Sequence, residues 1–75
     1  MKIRFGETII EANDAWGLIV EMHKRASFAA GTVEEYMKDV AYRAEVQSGK
    51  DVRTHPPAAF IQDLIGAGLI EEVKS

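Results

Sequence analysis

Apolar and polar residues alternate over Lys2–Phe5, and from Ala15 onward the apolar positions recur every three or four residues. That change of period predicts strands first and helices afterwards. Gly6-Glu7 suits a two-residue type II′ turn, with glycine in the first position. The turn sets a register in which Phe5 faces Thr8, Arg4 faces Ile9, Ile3 faces Ile10 and Lys2 faces Glu11. Ile3, Phe5, Thr8 and Ile10 then share one face, and Ile9 lies on the other beside Arg4.

Asn13-Asp14 supplies a helix cap. The following helix is expected over Ala15–Ala29, with Ala15, Leu18, Ile19, Met22 and Ala26 facing the core. Trp16, Val20 and His23 run along one edge of that stripe, and Glu21, Lys24 and Arg25 face water. Gly17 permits close packing of another element, and Phe28 falls off the main face. Thr32-Val33-Glu34-Glu35 is a capping box that opens a second helix reaching Gln47 or Ser48. Its buried stripe is Val33, Tyr36, Met37, Val40 and Ala44. Tyr42 and Val46 fall on its outer face with Glu35, Lys38, Asp39 and Glu45.

Gly49 stops that helix, and Lys50–Pro57 forms one long polar connection in which Pro57 can begin a third helix. Phe60, Ile61, Leu64 and Ile65 give the third helix a broad apolar face, and Ala59, Gln62, Asp63 and Gly66 lie opposite. Gly68 is placed to end it, Leu69 to fold back on the last turn, and Ile70–Val73 reads as a short strand. The expected architecture is a single α+β domain over residues 1–75. An N-terminal β-hairpin, three helices and a C-terminal strand that completes a small antiparallel sheet make up the order β-β-α-α-α-β.

Composition narrows the function classes. A chain of 75 residues buries only roughly 60–65% of its unfolded surface. It contains no cysteine, which excludes disulfides, thiolate metal sites and a cysteine nucleophile, and the expected setting is the cytoplasm. The net charge of −3 gives no general attraction to phosphate backbones or anionic lipid. The N-terminal residues lack an apolar core of signal-peptide length, and no apolar run approaches a membrane span.

The candidate chemistry is sparse. His55 stands in the polar loop with Lys50 and Arg53, although a histidine before Pro-Pro is ordinarily a turn residue. His23, on a helix edge, is ordinarily a half-buried packing residue. Neither has a second ligand at a known metal spacing. The carboxylates fall on solvent faces, and no serine sits in a nucleophile elbow. Gly66-Ala67-Gly68 follows a helix and precedes a strand, the reverse of a dinucleotide-binding context. No enzyme activity, metal or cofactor is expected.

A helix ending Leu64-Ile65-Gly66-Ala67-Gly68-Leu69-Ile70 and passing into a strand resembles the third helix and first wing strand of winged-helix DNA-binding domains. The resemblance implies a nucleic-acid-binding alternative in which Lys50, Arg53 and His55 touch phosphate. The outer helix face, however, offers Ala59, Gln62, Asp63 and Gly66 where base readout uses Arg, Lys or Asn. The expected function is therefore a small non-catalytic interaction module or accessory subunit. It binds a protein partner or a second copy of itself through Tyr42, Val46 and Trp16, with nucleic acid the lesser alternative and no membrane role.

Overall fold

A computed structural model describes residues 1–26 and 31–74. Two strands, β1 (Lys2–Phe5) and β2 (Thr8–Glu11), precede three helices, α1 (Ala15–Arg25), α2 (Val33–Ser48) and α3 (Pro57–Gly66), and a short final strand, β3 (Glu71–Glu72). The sheet is antiparallel in the order β2-β1-β3.

The hairpin has the register expected from its turn, with Lys2 opposite Glu11, Ile3 opposite Ile10, Arg4 opposite Ile9 and Phe5 opposite Thr8. Gly6 has φ +62° and Glu7 has no positive φ, the combination a type II′ turn needs. Ile3 and Ile10 are buried as a facing pair, and Ile9 stays exposed. On the other side of β1, Arg4 lies opposite Glu71 and ion-pairs with it at 2.8 Å.

Asp14 caps α1 by accepting a hydrogen bond from the Gly17 amide at 2.8 Å. Ala15, Leu18, Ile19 and Met22 are buried as the spacing predicts. The helix ends at Arg25, before the expected Ala29. Ala26 leaves it in an extended conformation and packs half-buried against the core. The expected course to Ala29, and Phe28, lie outside the described residues. Gly17 does serve close packing, since a Cβ there would stand 2.9 Å from the Ala12 Cβ.

Both arms of the capping box form at α2. Thr32 Oγ1 accepts from the Glu35 amide at 3.2 Å, and a Glu35 carboxylate oxygen accepts from the Thr32 amide at 3.0 Å. The buried stripe is Tyr36, Met37, Val40, Ala41 and Ala44, so Ala41 joins the expected set and Val33 is only half-buried. At the end of α3, Gly68 (φ +83°) donates to Ile65 O and Leu69 donates to Leu64 O, both at 3.1 Å. This pair of bonds is a Schellman motif, and it turns the chain from helix to strand. Phe60 and Leu64 on α3 are fully buried in the core.

Ala59 corrects the sequence reading, because it is buried and not on an outer face. It lies outside the main apolar cluster. Ala59 and Asp63 are one turn apart and share a side of α3, and the connection from Lys50 to Pro56 is held over that side through Asp63. Val52, in that same connection, is buried in the core although the segment reads as polar.

Candidate interaction surface

Helix periodicity places Tyr42 and Val46 side by side, away from the stripe that Tyr36, Met37, Val40, Ala41 and Ala44 bury. Each is 67% exposed, the highest values among the described large apolar side chains. Lys38, Asp39 and Arg43 are exposed on the same helix, with Arg43 ion-paired to Asp39 at 3.4 Å. The expected charged rim is reduced by two. The carboxylate of Glu45, half-buried, accepts from the Val52 amide at 3.0 Å and anchors the following connection. Glu35 is committed to the capping box, where bonds from the Thr32 amide and then the Thr32 hydroxyl hold its carboxyl below the usual range.

Trp16 is 42% exposed on the first turn of α1. Ile9 is 55% exposed on the outer face of β2. These two residues belong to other elements than the Tyr42–Val46 pair.

The polar loop is assembled differently from its appearance in sequence. Arg53 donates to Asp63 three times: from its backbone amide to Oδ2 at 2.9 Å, from Nε to Oδ2 at 2.9 Å, and from a terminal nitrogen to Oδ1 at 3.1 Å. The guanidinium bonds first, then the backbone bond, lower the Asp63 carboxyl to about 2. Lys50 Nζ donates to the Gly66 carbonyl at 3.1 Å, at the far end of α3. The Lys50 amide donates to Ser48 Oγ, which donates in turn to Ala44 O at 2.7 Å. Two of the three candidate residues thus tie the loop to α3. His55 is exposed before a cis peptide to Pro56 and takes no part in those bonds.

The remaining features are matters of packing. His23 is half-buried and stacks edge-on against Tyr36, with centroids 5.3 Å apart, as the packing reading holds. An apolar recess of about 220 Å³ opens between Phe5, Thr8 and Ile10 of the hairpin, Met22, Arg25 and Ala26, and Tyr36 of α2. Sequence reasoning missed it, because each wall residue reads separately as core or surface. Among the described residues, no helix is long and apolar enough to cross a membrane, and no group of three or more metal-ligating side chains is brought together. Comparison with protein-family models, curated proteins and solved structures finds no match for the chain.

Proposed function

We propose that the protein is a small non-catalytic interaction module that holds a protein partner on the outer face of α2. The observation that carries this reading is the Tyr42–Val46 pair, two large side chains each 67% exposed on adjacent turns and surrounded by Lys38, Asp39 and Arg43. An aromatic centre inside a charged rim is the anatomy of a modest protein interface. The use of Lys50 and Arg53 to fasten the loop supports a structural role for that loop. The cysteine-free sequence suits a reducing compartment, and we place the protein in the cytoplasm. The test is the pair of substitutions Tyr42→Ala and Val46→Ser, assayed for recovery of partners from the protein's own cells alongside circular dichroism. Loss of a specific partner with the fold intact supports the reading. Unchanged recovery of every partner overturns it.

A further inference from the structure

Among the described residues the sheet has two open edges, and their chemistry differs. Met1 and Ala12 exchange both backbone bonds at 2.9 Å. Bonded pairs alternate with unbonded ones in an antiparallel ladder, so in this register Ile3–Ile10 is a bonded pair and Arg4–Ile9 and Lys2–Glu11 are not. The Val73 amide donates to Lys2 O at 3.0 Å, so the groups of β1 that turn from β2 are taken up by β3. The amide and carbonyl of Ile9 and of Glu11 face away from β1 along the outer edge of β2.

We infer that this edge pairs with the same edge of a second copy of the chain, β2 against β2 about a twofold axis at Ile10. That register sets Ile9 opposite Glu11 of the second copy, and Glu11 opposite Ile9. Each such pair exchanges both of its backbone bonds. A twofold axis at Glu11 sets glutamate against glutamate, and one at Ile9 calls on Glu7, which belongs to the turn. On the outer face, the chosen register runs Glu71, Arg4, Ile9, then Glu11 and Lys2 of the second copy, so no two like charges stand directly opposite across strands, and the two Glu11 side chains meet only on the diagonal. It also brings the two exposed Ile9 side chains into diagonal reach.

Charge selects this edge over the other. On β3 the outward backbone groups belong to Glu72, and pairing about it sets Glu72 against Glu72. β2 carries no proline and no inward-facing charge, the usual devices that keep an edge from pairing.

Amide hydrogen exchange of the full chain across a concentration series, with sedimentation on the same samples, tests the pairing. The expected result is a dimer in which the Ile9 and Glu11 amides exchange at least about tenfold more slowly at millimolar than at low micromolar concentration. A chemically synthesised chain N-methylated at Ile9, which has no Ile9 amide hydrogen to read, loses the dimer and the Glu11 protection, while Tyr42→Ala with Val46→Ser keeps the dimer and the protection of both amides. A chain that stays monomeric at millimolar concentration overturns the inference, and so does a dimer that leaves Ile9 and Glu11 unprotected.

Discussion

Arg53 holds Asp63 through its backbone amide and its guanidinium together, joining the loop after α2 to the middle of α3 across ten residues of chain. The bonds are made to the ionised carboxylate, and the folded-state value near 2 lies below the ordinary 3.8. The stability contributed by the pair is therefore fully present above about pH 4 and is lost as pH falls toward 2. Urea midpoints of the wild type and Asp63→Asn, measured from pH 6 down to pH 2, should show the variant less stable at the upper end. The gap should close progressively below pH 4. A gap that is constant over the range would assign the loss to packing and not to charge.

Leu64 is fully enclosed in the centre of α3. Leu64→Ala should cost about 2–5 kcal/mol, the range for removing a buried leucine side chain. In a domain this small that is most of the available stability, and the variant should be largely unfolded by circular dichroism at 25 °C. A urea midpoint close to wild type would mean that another helix carries the core.

Gly17 lies inside α1, where alanine is ordinarily better by about 1 kcal/mol. Here a Cβ would stand 2.9 Å from the Ala12 Cβ and 3.2 Å from the capping Asp14 Oδ1. Overpacking should outweigh propensity, and Gly17→Ala should destabilise by about 1–3 kcal/mol. Adding Ala12→Gly removes the closer contact and should recover part of the loss. A Gly17→Ala chain that melts higher than wild type would show that the β2–α1 junction yields easily.

What was legible in the sequence was local. The two-residue turn at Gly6-Glu7 determined the hairpin register, and Thr32 with Glu35 determined the start of α2. Gly68 and Leu69 determined how α3 ends. Each depends on residues within a few positions of one another, where backbone geometry leaves few choices. The misreadings needed distant partners. Ala59 is buried on the side of α3 where Asp63, one turn on, holds the loop through a pair ten residues apart. Val52 reads as part of a polar connection until Glu45 is seen to accept from its amide. The stop at Arg25 has no glycine or proline to announce it, and Ala26 leaves the helix to pack against the core. For the interaction surface, period alone put Tyr42 and Val46 outside, but it could not show that Glu35 and Glu45 are used elsewhere.

Nucleic acid binding should be weak. Lys50 is bonded to Gly66 O and Arg53 is neutralised by Asp63, while the exposed positions of α3 include Ala58, Gln62 and Gly66. Few free cations release few counterions, so no complex tighter than about micromolar is expected at physiological salt. Fluorescence anisotropy with a random-sequence duplex and a single strand checks this. A nanomolar, sequence-dependent response would restore the winged-helix reading.

The Tyr42–Val46 pair makes a claim about stability as well as binding. Both side chains are two-thirds exposed, and neither belongs to the core cluster. Truncating them removes little buried area, so Tyr42→Ala with Val46→Ser should change the unfolding free energy by no more than about 0.5 kcal/mol, the range of ordinary surface substitutions. The same pair should weaken a partner complex by about 1–3 kcal/mol, the scale of a small hot spot. The two readouts separate causes, because a structural role lowers both stability and binding, and an interface role lowers binding alone. Unfolding of the double variant would show that this face of α2 is covered in the folded chain and that the partner sits elsewhere.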